Sequence, residues 1–256
     1  MKRANQGAQP ENSGQPPAEF VEKRPLAKGN PVQTTVTGTQ RPEAASSGLD
    51  RVREAAKRDK GLRFTNLLHH ITVERLYAAY RGLNPKAAKG VDEMTWLEYG
   101  EGLDERLVAL HDQLQSGTHR VRPSKRVWIP KGDGKQRPIG IAALEDKIVP
   151  QALAEVLQLI YEEDFLGFSY GFRPGRSQHN ALDAIYFAIT QRKVSWVLDA
   201  DIRSFYDSPD HQWLMKFVEH RVADQRMLRL FRKFLRAGVS EGGKWSKMVV
   251  GTHKEL

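Results

Sequence analysis

The 256-residue sequence contains no cysteine, so neither disulfides nor thiolate metal sites hold its fold, an absence that leaves the compartment open. It also has no uninterrupted apolar run near the roughly 20 residues that a membrane-spanning helix needs. No apolar stretch follows the first basic residues, Lys2 and Arg3, so a secretory signal is not supported. A G-x-x-x-x-G-K-S/T phosphate loop is missing, which argues against a Walker-type nucleotide enzyme, and no internal repeat occurs. Acidic residues are the minority charge, 31 against 40 Lys and Arg. The resulting net charge of +9 favours a polyanionic partner, most simply nucleic acid. With 39% apolar and 28% charged residues the composition is that of a soluble globular protein of one or two domains, and a cytoplasmic location with no membrane partner is the expectation.

Met1 to about Ser47 is rich in Gly, Pro, Gln, Ser and Thr and nearly empty of large apolar residues. Such a segment buries too little surface to offset its ordering entropy, so residues 1–48 read as a disordered arm and order is expected near Asp50. Ile71 and Leu76 flank Thr72 in staple register, which predicts a helix capped by Thr72 and running to about Arg81. Leu103, Leu107, Leu110 and Leu114 recur at helical spacing up to a stop at Gly117, and these leucines are core.

From His119 to Ile141 the chemistry changes. Arg120, Arg122, Lys125, Arg126, Lys131, Lys135 and Arg137 are accompanied by a single acid, Asp133. Val127–Pro130 and Arg137–Ile141 read as two short strands joined by the Gly-rich turn 131–135. A cationic hairpin suits a polyphosphate, with Arg as a bidentate fork and Lys as a mobile point charge, although a solvated edge guarded by Lys has the same pattern. An apolar helix is predicted from Leu144 to about Phe165, where Pro150 either kinks the helix or marks its first turn. Ser177 is placed to cap a further helix with buried face Leu182, Ile185, Tyr186 and Ile189. His179 sits in its first turn without a second His or Cys nearby, so a zinc site is rejected. Trp213 to Leu235 continues a helical pattern to Gly238, with Arg226, Arg229, Arg232, Lys233 and Arg236 on its polar side.

The stretch that organises the rest is the apolar, β-prone run Val194–Leu198 followed by Asp199 and Asp201. Spacing i, i+2 puts both carboxylates on one face of a strand. Hard oxygen ligands at a strand end suit Mg²⁺ and nucleotidyl transfer, but a lone D-x-D equally fits a metal-dependent glycosyltransferase or a plain strand end.

Taken together, three ordered stretches resemble the reverse-transcriptase domain of group II intron-encoded reverse transcriptase/maturases. Arg126–Lys131 through Arg137–Ile141 and Asp146–Val149 is similar to the family's first fingers motif, and Ser169–Leu182 is similar to its second. Trp196–His211 is similar to the palm motif with the first catalytic aspartate, and the likeness spans roughly Leu62 to Thr252. The resemblance implies an α+β fold of right-hand polymerase fingers and partial palm, helix-rich with short antiparallel strands. Residues 49–193 would be the fingers-like region and 194–256 the partial palm. It implies Asp201 as the catalytic, metal-binding acid, Asp199 as a secondary ligand and the carbonyl of Ile202 as a further one. In the family the acid precedes a sugar-screening aromatic by five residues, as Asp201 precedes Tyr206. Lys131 and Arg137 match residues that hold the incoming triphosphate. Arg126 and Lys135 belong to the same nucleic-acid-binding hairpin, while Arg173, Arg176 and His179 would contact template or hold fingers against palm. Implied partners are group II intron RNA, RNA/DNA primer-template and dNTP, with two Mg²⁺ ions about 3.5–4 Å apart in the intact family.

The pattern then breaks. Gly251–Thr252 matches the start of the family's nucleotide-pocket loop, but His253–Leu256 does not, and no Asp-Asp dipeptide occurs to supply the other metal acids. The expectation is a truncated, catalytically incompetent chain, or else a non-catalytic intron RNA-binding module. Unpaired sheet edges and uncovered apolar faces would make such a chain self-associate.

Overall fold

The computed structural model describes residues 43–130, 132, 134, 136–192, 194–203, 205–248 and 251–252, and Pro42–Leu256 forms one unit. The expected disordered arm therefore lies, apart from its last residues, outside the described residues. Those last residues are helical: α1 spans Glu43–Arg58 and so begins earlier than Asp50.

Local signals set the next helices. Thr72 caps α2 (Val73–Gly82), its hydroxyl accepting from Arg75 N at 3.3 Å. Thr95 and Glu98 form a reciprocal capping box on the short α3 (Trp96–Gly100), satisfying two orphan donors at once. Helix α4 (Leu103–Ser116) ends at Gly117 with φ 74°, a left-handed conformation that glycine adopts without a Cβ clash. Helix α5 (Leu144–Tyr161) carries Pro150 inside it, where the missing N–H leaves one helical carbonyl without its usual donor. The apolar stripes of α1, α2, α4 and α5 meet in a core that includes Leu67, Leu76, Leu107, Leu110, Ile148 and Leu153. Each fully buried aliphatic side chain contributes about 1.5–3 kcal/mol through area removed from water. Truncating Leu110, 1% exposed, to Ala would cost about 2–5 kcal/mol because the helices around it relax only partly.

Strands β1 (Ser124–Pro130) and β2 (Gln136–Ile141) form the expected antiparallel hairpin, pairing Lys125 with Ile141 through Pro130 with Gln136. Helices α6 (Gln178–Gln191), α7 (His211–Arg221) and α8 (Gln225–Arg236) follow, with Ser177 capping α6 in a box with Asn180. A hairpin not foreseen, β3 (Val239–Glu241) and β4 (Lys244–Ser246), docks parallel to β1 and gives a sheet ordered β2-β1-β3-β4. The arrangement is α+β and helix-rich, as expected, but the sheet is mixed rather than purely antiparallel.

Two expectations are overturned. The predicted buried face of α6 is exposed at Leu182, Ile185, Tyr186 and Ile189, and no residue of that helix is buried. The predicted strand 194–198 is irregular rather than a strand, with Trp196 and Leu198 each 90% exposed. A strand exists only where its N–H and C=O groups find a neighbouring ladder, and no strand pairing to this segment occurs among the described residues, Val194 N donating instead to Ala188 O of α6 at 3.3 Å.

Candidate nucleic-acid interface and acidic loop

The basic hairpin is built by the β1–β2 register. Pairing puts Arg126 and Trp128 on one face of β1, where Glu241 of β3 meets both: Trp128 Nε1 donates to it at 2.7 Å and Arg126 lies at 3.9 Å. Lys125, on the other face, pairs with Glu93 at 2.6 Å, and that bond holds the Glu93 carboxyl below its usual range. Arg137 is exposed and its side chain is unpaired among the described residues. The turn residues Lys131 and Lys135, expected at a triphosphate, lie outside the described residues. Among the described hairpin cations Arg137 has no partner to compete with a phosphate, while Arg126 is partly neutralised by Glu241.

Asp199 and Asp201 sit in the exposed, irregular segment 194–203, with no ion pair among the described residues. Tyr206 follows in a 3-10 turn over Phe205–Asp207, edge-on to Phe205 at 5.4 Å. Three hydrogen bonds tie this loop to the Gly-Thr segment: Thr252 N donates to Tyr206 O at 2.6 Å, Gly251 N to Pro209 O at 2.8 Å, and His211 Nε2 to Gly251 O at 2.8 Å. The two stretches that the resemblance assigns to one nucleotide pocket are therefore neighbours. The oxygens available to a cation are the two carboxylates and the Ile202 carbonyl, and no cluster of three His, Asp or Glu occurs among the described residues. Two carboxylates and a carbonyl are donors of the type Mg²⁺ takes, and substrate phosphates and waters would have to complete its shell.

In the second motif, Phe172 is 97% exposed at φ 57°, a conformation unusual for a residue with a Cβ. Arg173 beside it is buried: its guanidinium forks onto Glu162 at 2.6 Å, donates to the carbonyls of Leu166 and Ser169, and lies 4.9 Å over the Phe165 ring. Its donors are used internally, which makes it an anchor for the loop 162–177. Arg176 donates to Gly167 O at 3.2 Å and lies 5.6 Å over Tyr170, whereas His179 is exposed on the first turn of α6.

A family model described as reverse transcriptase (RNA-dependent DNA polymerase) matches residues 129–252, from the end of β1 to the Gly-Thr segment. The chain is 31% identical over 209 residues to the group II intron-encoded protein LtrA of Lactococcus lactis subsp. cremoris, covering 80% of this chain and 34% of that protein. Residues 129–252 are a reverse-transcriptase domain similar to that of a group II intron-encoded protein. The chain is also similar to Protein YkfC of Escherichia coli K12, 40% identical over 190 residues, covering 72% of this chain and 50% of the relative. A third relative, an uncharacterized 91 kDa protein in the cob intron of Schizosaccharomyces pombe, is 37% identical over 139 residues, 54% of this chain and 17% of its own length. The chain thus spans half or less of the length of these relatives.

Asp224, which was not singled out from sequence, and Asp146, quoted there only as part of a motif, hold the frame around the site. Asp224 caps α8 through Arg226 N and Met227 N, and its other oxygen accepts from Leu67 N and Leu68 N at 2.8 and 2.9 Å. Burial opposes its charge, yet these four backbone bonds hold its pKa below the ordinary Asp value. An Asp directly before an apolar helical pattern is a readable capping signal, but its second role crosses 157 positions of sequence. Asp146 is similarly buried, accepting from Arg122 N at 2.8 Å and from His119 Nε2 at 3.1 Å. That pair fixes the chain entering β1 against α5, below the cationic hairpin.

Proposed function

We propose that the chain supplies the fingers and the leading palm motif of an RNA-directed DNA polymerase/maturase that acts on group II intron RNA, and that these 256 residues alone bind RNA without extending a primer. The observation that carries the reading is the hydrogen-bonded junction of the Asp201–Tyr206 loop with Gly251–Thr252, since a nucleotide pocket needs both segments side by side. In that pocket Tyr206 would face the sugar of a dNTP and Arg137 its phosphates, with Asp201 and the Ile202 carbonyl contributing part of a Mg²⁺ shell. Lys131 and Lys135 would extend the cationic hairpin towards the same phosphates, Asp199 would add charge, and Arg126, Arg176 and His179 would meet the nucleic-acid backbone. What supports a polypeptide that does not extend a primer by itself is that, among the described residues, Asp199 and Asp201 have no third acid beside them.

The second reading, an RNA-binding module with no polymerase partner, has the same surface and differs only in whether activity is restored. Primer extension on poly(rA)/oligo(dT) with Mg²⁺ and dTTP separates the outcomes. No incorporation is expected from this polypeptide, and incorporation above the no-protein background would refute its incompetence. Incorporation on adding a polypeptide that carries the family's remaining palm motif favours the polymerase role, and its failure favours the binding module. The exposed faces of α6 and of the segment 194–202 further support association with a second copy, and an RNA partner supports a cytoplasmic place of work.

A further inference from the structure

A groove of about 520 Å³ opens between α8, the segment 119–123 and β4. Arg229, Arg232, Lys233 and Arg236 recur at i, i+3, i+4 and i+7, so one face of α8 lines it with four cations. Two of them are engaged within the fold. Arg232 pairs with Glu219 at 2.7 Å, and the Lys233 ammonium donates to the carbonyls of Gly117 and His119 at 2.8 and 2.7 Å. The side chains of Arg120, Arg229 and Arg236 are exposed and have neither hydrogen bond nor ion pair among the described residues. Like charges left together on one helix face destabilise it slightly, and an anion laid along the groove removes that cost.

The groove also has an aromatic wall. Trp245 of β4 is 59% exposed, yet its ring is fixed: Nε1 donates to Ala237 O at 3.0 Å. The ring lies over Gly238, where a Cβ would come within 2.8 Å of Nε1 and would also meet Ser246 O, so only glycine admits this packing. A rigid indole with an open face loses little freedom when a flat partner stacks on it.

We propose that this groove binds single-stranded RNA, with Arg120, Arg229 and Arg236 on backbone phosphates and an unpaired base stacked on Trp245. The proposal rests on the RNA-binding reading above but concerns a surface separate from the hairpin and the acidic loop. Cations beside an aromatic platform are the combination that unpaired nucleic acid uses, because every base offers a π-face and its backbone a row of charges. An acidic protein segment would satisfy the arginines and leave the indole without a planar partner.

The test is fluorescence-anisotropy binding of an oligouridylate of about 16 nucleotides, the upper end of such site sizes. It compares the wild type with Arg229→Gln/Arg236→Gln, Trp245→Ala and Trp245→Phe. All substituted side chains are exposed, and a thermal melt followed by circular dichroism checks that each variant is folded. The double Arg variant is expected to flatten the slope of log affinity against log salt by about 1.4, or about 0.7 per lost phosphate contact. Trp245→Ala is expected to weaken binding at least fivefold, roughly, with the slope unchanged, and Trp245→Phe to retain most of the affinity. Wild-type binding that none of these variants alters overturns the groove while leaving the RNA reading intact. Polyglutamate competing as well as the oligonucleotide, with Trp245→Ala silent, overturns it in favour of a protein partner. Absence of any oligonucleotide or intron RNA binding by the wild type overturns both.

Discussion

Replacing Asp224 with Asn is an isosteric change with a large expected cost. The carboxylate accepts four backbone N–H groups, two on each oxygen, with Leu67 and Leu68 on one side and Arg226 and Met227 on the other. An Asn side chain offers one acceptor and one NH₂, so in either flip a donor faces two donors. Each buried N–H left unsatisfied costs about 1–3 kcal/mol, which puts Asp224→Asn at about 2–5 kcal/mol. Asp224→Ala loses both sides and the helix cap, about 1 kcal/mol more. Urea unfolding at pH 7, followed by tryptophan fluorescence, should show the midpoint falling by about 1–2 M at a slope of about 2–3 kcal/mol/M. Because the folded pKa is depressed, the carboxylate's stabilisation is present above its unfolded value near pH 4, about 3.9, and is lost as pH falls through the lower folded value. The gap between wild type and variant should therefore be complete at pH 7 and shrink below about pH 4. A variant within about 0.5 kcal/mol of the wild type at pH 7, inside the range of ordinary surface substitutions, would refute this account of how Asp224 ties α8 to Leu67 and Leu68.

Arg221 is fully buried, with its guanidinium on the carbonyls at the end of α1 (Ala56, Asp59 and Lys60) and 3.4 Å from Asp164. Arg221→Met should cost about 3 kcal/mol in the same unfolding assay, because carbonyls and a carboxylate lose their donor. The exposed face of α6 should drive association: sedimentation velocity is expected to show oligomers for the wild type and a shift towards monomer for Leu182→Lys/Ile185→Lys. A wild type that is monomeric at tens of micromolar would remove that face from the account.

What could be read from sequence follows the range of the forces involved. Thr72, Ser177 and Gly117 act within one turn of their helices, so capping chemistry located those ends. The β1–β2 hairpin was equally local, its strands separated by a short glycine-rich turn. The Gly242-Gly243 pair between β3 and β4 was a comparable turn signal that went unused, and the parallel docking of β3 on β1 has no local signature at all. At α6 and at 194–198, apolar periodicity showed which side prefers burial but not whether a neighbour exists to bury it. The motif residues of the candidate site were legible as a resemblance. The partners that decide their roles, Glu162 for Arg173 and Glu241 for Arg126, emerge only from the folded chain.

The most direct test of the central claim is filter binding of group II intron RNA across a salt series. If the basic hairpin and its flanking arginines hold RNA through about four phosphates, log affinity should fall with log salt at a slope near −3, about −0.7 to −0.9 per phosphate. An affinity that does not change with salt, or no binding at low salt, would contradict it.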